Sequence, residues 1–482
     1  MSRQIRRVAA VVLLLFGALF VNLNVITLVQ ADDLANHPAN RRVIIREYQI
    51  ERGPIVVAGE AIASSVESEG ELRYLRTYTD GPLYAHLTGY YSFVLQRSGL
   101  EAAANEDLTG RPTEVVAQNL GDVLFGRDRP GNAVELTIDP AAQRAARDAL
   151  DGREGAVVAL DPRTGAVLVS YANPTFDPNP LSSHSVSEIS EAWESVRDDE
   201  AQPLVDRARQ ETYPPGSAFK VVVAAAALER GLQPTTSFPD EVVFDVPQTT
   251  ANIRNYGGGV CADGGTITLD DALRVSCNTV FARLGVELGH EVLREQAERF
   301  GLNRTIPYEL SVAPSAIPTE LDVPATAQSA IGQRDVRTTP MQMAVIAGAI
   351  ANDGQLMRPH LVATVRDPSG RRLRGPDVSS WSEAGYDDRP ITPRTAEQLQ
   401  DMMVRAVDAG TGTAARIQGV EVGGKTGTAQ DGETPTVWFV GFAGNEVAIA
   451  VVVPEAGPGA TGGGVAAPIA RQVLETLVGG DR

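Results

Sequence analysis

The chain opens with a long, predominantly apolar run at residues 8–29, and three arginines lie within the seven residues before it. About 20 apolar residues suffice to cross a bilayer as a helix, and basic flanking residues favour the cytoplasmic side. The pattern predicts a membrane anchor, residues 1–30, with its N-terminus inside. A cleaved signal peptide is the alternative, because Val29-Gln30-Ala31 resembles a small-residue cleavage site. Either way, the rest of the chain lies outside the cytoplasm.

Residues 31–131 mix polar turns with short strand-like pieces at 42–48 and 54–57, and they contain no catalytic pattern. We interpret them as a non-catalytic pedestal domain. The pattern changes near residue 132, where residues 134–138 alternate like a strand and Asp139-Pro140 is typical of a helix start. This change predicts a second domain over residues 132–482.

Within the second domain, apolar runs at 155–160 and 166–171 flank a turn cluster, which predicts a β-hairpin. Residues 173–210 are polar and rich in Pro, Ser and Glu, and we interpret them as a long, partly helical surface excursion. The C-terminal part predicts three antiparallel strands and then a last helix, at residues 423–430, 436–443, 447–454 and 465–477.

Composition excludes several functions. The net charge of −19 would repel the phosphates of a nucleic acid. The two cysteines are too few for a thiolate metal site and the five histidines are scattered, so we expect neither a metal nor a cofactor. A length of 482 residues exceeds one ordinary domain, in keeping with two.

Lysine usage points to the chemistry. Among 42 basic residues only Lys220 and Lys425 are lysines, so arginine serves wherever charge alone is needed. Lysine can lose its proton under perturbation and arginine cannot, which makes these two positions candidates for proton transfer. Lys220 follows Ser217 by three residues at the start of an apolar, alanine-rich segment that predicts a buried helix. Nucleophile and base would then share one helix face.

Two further motifs support this interpretation, because Ser-x-x-Lys alone is a weak signal. Ser276-Cys277-Asn278 follows Ser217 by 59 residues, and Lys425-Thr426-Gly427-Thr428 begins 149 residues after Ser276. The ordered trio is the signature of penicillin-binding proteins and class A β-lactamases.

With these motifs, the chain resembles the class B penicillin-binding proteins, of the short penicillin-binding protein A type found in actinobacteria. The resemblance covers nearly the whole chain and includes residues 52–55, 213–220, 331–333 and 338–342. It implies an α+β fold: a serine transpeptidase/β-lactamase-like domain with a central antiparallel sheet flanked by helices, a small pedestal and one transmembrane helix.

The resemblance also implies a role for each motif residue. Ser217 would attack the penultimate D-alanine carbonyl of a stem peptide, with Lys220 as the base. Ser276 would pass the proton to the leaving amine, and Asn278 would hold the acyl-side amide.

The third motif would bind the other end of the substrate. Lys425, Thr426, Gly427 and Thr428 would contact its terminal carboxylate, and the backbone N–H groups of Ser217 and Thr428 would hold the oxyanion. The expected activity is that of a peptidoglycan D,D-transpeptidase that binds β-lactams covalently, and the expected partners are the cell membrane, a glycosyltransferase and division or elongation proteins.

Cys277 replaces the aspartate of the commoner second motif, at a position that varies in class B proteins. An oxidising compartment would let Cys261 and Cys277 form a disulfide, and two buried thiols are the alternative.

Specific features of the sequence distinguish this activity from its rivals. A class A β-lactamase needs a deacylating glutamate between the second and third motifs, and no Glu-x-x-x-Asn of that kind occurs there. Residues 31–131 are too few for an added glycosyltransferase domain. A signalling receptor or inactive scaffold fits poorly with an intact trio, whereas D,D-carboxypeptidase activity differs only in the attacking nucleophile and stays open.

Overall fold

The computed structural model describes residues 3–29, 45, 47–110, 130–382, 387–430 and 434–479. The strands are β1 (Ile55–Val57), β2 (Glu60–Glu67), β3 (Tyr74–Tyr78), β4 (Tyr91–Ser92), β5 (Gln96–Arg97), β6 (Ala133–Leu136), β7 (Gly155–Leu160), β8 (Val167–Asn173), β9 (Ser237–Asp240), β10 (Val243–Asp245), β11 (Asn252–Arg254), β12 (Gly265–Thr268), β13 (Val362–Arg366), β14 (Arg372–Arg374), β15 (Val422–Gln430), β16 (Pro435–Ala443) and β17 (Val447–Val453).

The α-helices are α1 (Arg3–Asn24), α2 (Gly81–Thr88), α3 (Gly99–Ala103), α4 (Asn105–Leu108), α5 (Pro140–Leu150), α6 (Pro178–Leu181), α7 (Val186–Arg197), α8 (Lys220–Glu229), α9 (Leu269–Arg274), α10 (Asn278–Leu288), α11 (His290–Arg299), α12 (Val323–Ser329), α13 (Pro340–Ala351), α14 (Pro393–Ala409) and α15 (Ala466–Val478). Short 3-10 turns lie at Gly216–Phe219, Tyr256–Gly258 and Thr413–Ala415, and a π-helical turn at Val25–Val29.

A five-stranded antiparallel sheet forms the centre of the larger region, in the order β15-β16-β17-β7-β8. Every residue of β16 and β17 is buried, so helices cover both faces. Helices α5 and α15 pack on each other and on the sheet, and α13 and α14 form a second contacting pair. The mixed α/β fold with a central antiparallel sheet is therefore confirmed.

Local sequence patterns predict most of these elements correctly. Asp139 accepts a hydrogen bond from the Ala142 N–H at 2.8 Å and so caps α5, as predicted. The predicted hairpin is β7–β8, and the three C-terminal strands and last helix are β15, β16, β17 and α15. The strand expected at 42–48 was wrong where it is described, because residues 45, 47 and 48 are helical.

A six-stranded sheet in the order β14-β13-β6-β1-β2-β3 joins the N-terminal region to a later part of the chain. Strand β6 pairs in parallel with β1 on one side and antiparallel with β13 on the other. The assignment of residues 31–131 and 132–482 to two domains stays a prediction.

The excursion after β8 is partly helical, as predicted, and it contacts the N-terminal region. The Asn179 amide exchanges two hydrogen bonds with the Tyr78 backbone, at 2.9 and 3.0 Å. The ring of His86 is hydrogen-bonded to the Pro203 carbonyl at 2.9 Å. These bonds join the excursion to β3 and α2.

A buried ion-pair cluster lies inside the N-terminal region. The Glu101 carboxylate is wholly buried and accepts hydrogen bonds from the guanidinium groups of Arg52 and Arg76 and from the Tyr78 hydroxyl. Burial alone would raise the pKa of Glu101, but the two arginines hold it below its usual value. Glu101 is therefore the anionic centre that compensates two buried cations.

The predicted anchor is helical. Helix α1 and the π-helical turn after it include a segment, residues 5–27, that is long and apolar enough to cross a membrane, and no residue of its most apolar window is buried. The alternative of a cleaved signal peptide fits the same finding.

Candidate active site

Ser217 lies on a tight turn that leads directly into a buried helix. The 3-10 turn Gly216–Phe219 continues into α8, so the prediction of a helical segment is correct but its first turn is 3-10. Gly216 adopts φ +53° and its N–H donates to the Gly332 carbonyl at 2.9 Å. The two prolines before the turn have no N–H to donate, which favours an abrupt start.

The turn rests against strands β15 and β16. The Trp438 indole N–H donates to the Pro214 carbonyl at 2.9 Å. A Cβ atom on Gly427 would lie only 2.5 Å from the Pro215 carbonyl oxygen, so this position of the third motif has room for glycine alone. Trp438 is a wholly buried core residue that also fixes the turn.

Lys220 is wholly buried at the first position of α8. Its Nζ donates to the Ser276 carbonyl at 2.8 Å, to Asn278 Oδ1 at 2.7 Å and, more weakly, to Ser276 Oγ at 3.4 Å. Burial, together with the nearby Lys425, lowers the pKa of Lys220 well below its usual value. This shift favours the neutral amine more than in an exposed lysine.

The Ser217 hydroxyl is not among the acceptors of Lys220 in the described part of the chain. Catalytic hydrogen bonds often form only when substrate is bound. The structure places the two residues on the same turn and helix start, and the role of each stays a prediction.

The second motif joins helices α9 and α10. Ser276 has a left-handed backbone, with φ +64°, which is strained for a residue other than glycine. Asn278 is the first residue of α10, and its side-chain Nδ2 donates to the Arg254 carbonyl at 3.0 Å. The motif therefore lies at a helix start and faces Lys220.

Lys425 approaches the same hydroxyl from β15. Its Nζ is wholly buried and donates to Ser276 Oγ at 2.8 Å and to the Thr426 carbonyl at 2.9 Å. Burial lowers the pKa of Lys425 to about 7. This amine therefore changes protonation near neutral pH.

Both threonines of the third motif are hydrogen-bonded to neighbouring segments. Thr426 Oγ1 lies 2.6 Å from Thr411 Oγ1, and Thr428 Oγ1 accepts from the Gly462 N–H at 3.3 Å. Sequence reasoning missed Thr411 and Gly462, although the runs around them are rich in glycine and threonine.

The arrangement is suited to proton transfer through Ser276. Its hydroxyl oxygen has two lone pairs and accepts from both Lys220 and Lys425. The hydroxyl hydrogen remains available for donation to a further group. Lys220, Ser276, Asn278 and Lys425 thus form one hydrogen-bonded network beside the Ser217 turn.

Cys261 and Cys277 form a disulfide bond in the structure. Asp240 braces the same loop, because its carboxylate accepts from the N–H groups of Cys261, Ala262 and Gly264 at 2.7, 2.9 and 3.0 Å. Asp240 and the two sulfur atoms lie within 4.8 Å of one another. A disulfide offers no thiolate to a metal, so these donors are already committed.

The chain is similar to known proteins in sequence and in fold. The family profile of the penicillin-binding protein transpeptidase domain matches residues 155–475, and that of the penicillin-binding protein A dimerisation domain matches residues 52–134. Two relatives named peptidoglycan D,D-transpeptidase PbpA are similar over nearly the whole chain. The Mycolicibacterium smegmatis protein is 40% identical over 98% of both chains, and the Mycobacterium tuberculosis protein is 38% identical over all of both.

Solved structures show the same similarity. The ceftriaxone acyl-enzyme of penicillin-binding protein A from M. tuberculosis superposes with a TM-score of 0.85 at 38% identity, covering 90% of this chain and all of the other. The penicillin G acyl-enzyme of that protein gives a TM-score of 0.83 over 89% of this chain and all of the other, also at 38% identity.

Proposed function

This chain belongs to the penicillin-binding protein transpeptidase family, and on that premise we propose that it is a peptidoglycan D,D-transpeptidase with Ser217 as its nucleophile. One observation carries the assignment: two buried lysine amines converge on the Ser276 hydroxyl beside the Ser217 turn. Buried ammonium groups are costly, and sites that shift lysine pKa values this strongly are typical of proton-transfer chemistry.

In the acylation step, the Ser217 hydroxyl attacks the carbonyl carbon of the penultimate D-alanine and transfers its proton to the Lys220 amine. The new C–O bond gives a tetrahedral oxyanion, which the N–H groups of Ser217 and Thr428 stabilise. The peptide C–N bond then breaks. The leaving D-alanine amine takes a proton from Ser276, which regains one from the lysine network.

In the second step, the amine of a neighbouring stem peptide attacks the Ser217 ester. Its nitrogen forms the new peptide bond and loses a proton to the base, and Ser217 recovers its own. The result is a cross-link. A β-lactam follows only the first step, because its ring opens without releasing a leaving group, and the protein stays acylated.

The remaining site residues bind the substrate. Lys425, Thr426 and Thr428 hold the terminal carboxylate, and Gly427 lets the strand approach the nucleophile turn. A carboxylate beside Lys425 raises the pKa of this amine from about 7 and so stabilises the ammonium form that binds it. Asn278 holds the acyl-side amide of the stem peptide.

The N-terminal helix anchors the catalytic region to the membrane. We assign its N-terminus to the cytoplasm, because basic residues precede the span, and the catalytic region to the outer side. Outside the membrane the enzyme would work beside a glycosyltransferase and division or elongation proteins.

Intact-mass spectrometry of the detergent-solubilised full chain with penicillin G tests the assignment. We expect a mass increase of one penicillin per chain that persists for many minutes in the wild type and is absent in Ser217→Ala. Thr212→Ala, a neighbouring change outside the three motifs, serves as the control and is expected to acylate. A folded wild-type protein that forms no adduct, or an adduct that survives Ser217→Ala, would falsify the proposal.

A further inference from the structure

Asn255 is a buried amide that the three motifs do not include. It follows β11 and is only 7% exposed. Its Oδ1 accepts from the backbone N–H groups of Asn278 and Thr279, both at 3.0 Å. Its Nδ2 donates to the carbonyls of Glu241 at 2.8 Å and Gly259 at 3.1 Å. Both donors and both acceptor positions of the amide are therefore used.

Asn255 caps helix α10 in place of the residue that directly precedes the helix. The first N–H groups of a helix have no partner within it, and a preceding side chain normally accepts from them. The residue before α10 is Cys277, which makes no side-chain cap bond and is held in the disulfide. Asn255 takes over this function from 23 positions away along the chain.

The same segment also orients the Asn278 side chain. The Arg254 carbonyl accepts from Asn278 Nδ2 at 3.0 Å, which turns Oδ1 of that amide toward Lys220. Arg254 and Asn255 together therefore fix both the backbone and the amide plane of Asn278. The position of the Lys220 amine depends on this acceptor.

We propose that Asn255 is a positioning residue for acylation, which acts through Asn278 on Lys220. The inference rests on the proposed function. Its surroundings are rigid, because Asp240 and the disulfide hold the loop that contains Gly259. A fixed loop can transmit a fixed orientation to the second motif.

Stopped-flow acylation of the detergent-solubilised full chain with a fluorescent penicillin separates two quantities: K, the dissociation constant before the covalent step, and k2, the acylation rate constant. We expect Asn255→Ala to lower k2 by about 10²-fold, because small displacements of catalytic groups cost rates of that order. We expect K to change by less than about threefold, since Asn255 is only 7% exposed and its amide is bonded to backbone groups of the protein. Asn255→Asp retains an oxygen that accepts both cap bonds and adds a negative charge that suits a helix start, but it loses the two bonds that Nδ2 donates, so its k2 should lie between those of Ala and wild type.

Asn179→Ala is the matched control, because Asn179 also exchanges bonds with backbone groups distant in sequence but contacts Tyr78, outside the motifs. It should leave k2 unchanged even if the melting temperature falls. The inference is overturned if Asn255→Ala retains k2 within about threefold of wild type, or if Asn179→Ala loses as much. If Asn255→Ala does not fold, Asn255→Gln takes its place, because the extra methylene displaces the oxygen that accepts from Asn278 and Thr279, and a wild-type k2 in Asn255→Gln overturns the inference. Failure of the wild type to acylate at Ser217 would instead refute the proposed function.

Discussion

Both lysines of the chain lie in the site, wholly buried and hydrogen-bonded to Ser276. Their scarcity among 40 arginines indicated this location in advance, because a reversible proton is something that guanidinium does not provide. The motif residues could therefore be predicted from residue type and spacing. Whether each has the role predicted for it stays to be tested by experiment.

Other residues of the site could not be predicted in this way. Asn255 and Thr411 contact motif residues that are 23 and 15 positions away, and no periodic pattern connects them. Such pairs depend on how loops fold over one another. A single sequence contains no local signal for that.

Lys425 destabilises the fold at low pH. Its pKa is about 7 in the folded protein against 10.5 for an unperturbed lysine, so between these values the unfolded chain binds more protons. Stability therefore rises with pH across this window, and below it the cost is on the order of 5 kcal/mol. We expect Lys425→Met to melt several degrees above wild type at pH 6, with the gap closing toward pH 10.

Calorimetry of both proteins across that pH range tests this prediction. Arg144→Met, which removes an exposed arginine, should show a difference that is independent of pH. A gap between Lys425→Met and wild type that stays constant from pH 6 to pH 10 would contradict the buried, neutral amine.

At the scale of elements, the periodicity of the sequence predicted most strands and helices. Which strands pair with each other in the sheets came only from the structure. Strands β15, β16 and β17 were predicted as consecutive antiparallel strands, and they are. The pairing of β17 with β7 joins segments almost 300 residues apart, so it depends on long-range packing. The close contact of the Ser217 turn with β15 and Gly332 is likewise long-range and came only from the structure.

A substitution at Gly332 tests how tightly the turn that carries Ser217 is packed. Its backbone has φ +70°, and a Cβ atom there would lie 1.9 Å from the Gly216 carbonyl oxygen. Gly332→Ala must displace the turn, and we expect acylation by penicillin to slow by about 10²-fold. Gly231→Ala is the control, because φ is +94° there but no atom of the described residues lies within 4 Å of the new Cβ. Equal acylation rates in the two variants would show that backbone strain, and not contact with Ser217's turn, sets the effect.

At the scale of the whole molecule, the N-terminal region and the catalytic region share hydrophobic contacts that form one continuous core. The six-stranded sheet and the Asn179 bonds add polar connections between them. Packing of this extent favours unfolding as a unit over the independent melting of separate domains. The anchor helix lies outside this core.

Glu101→Gln tests this cooperativity. Removing the charge leaves Arg52 and Arg76 buried without their anion, which costs about 3–5 kcal/mol. We expect a single calorimetric transition, shifted downward as a whole. Glu67→Gln, in an exposed pair with Arg73, should change stability by less than about 0.5 kcal/mol. Two transitions of which only one moves would show that the regions melt separately.

The parallel pairing of β1 with β6 and the antiparallel pairing of β6 with β13 have a consequence for dissecting the protein. A fragment that stops at residue 131 would end before β6 and leave the backbone of β1 unpaired along one edge. Open strand edges recruit other chains, so such a fragment should self-associate. For the same reason, recombination between relatives would have to exchange β6, β13 and β14 together with the N-terminal strands. The sheet is therefore a single unit of inheritance, although its strands are encoded in distant parts of the gene.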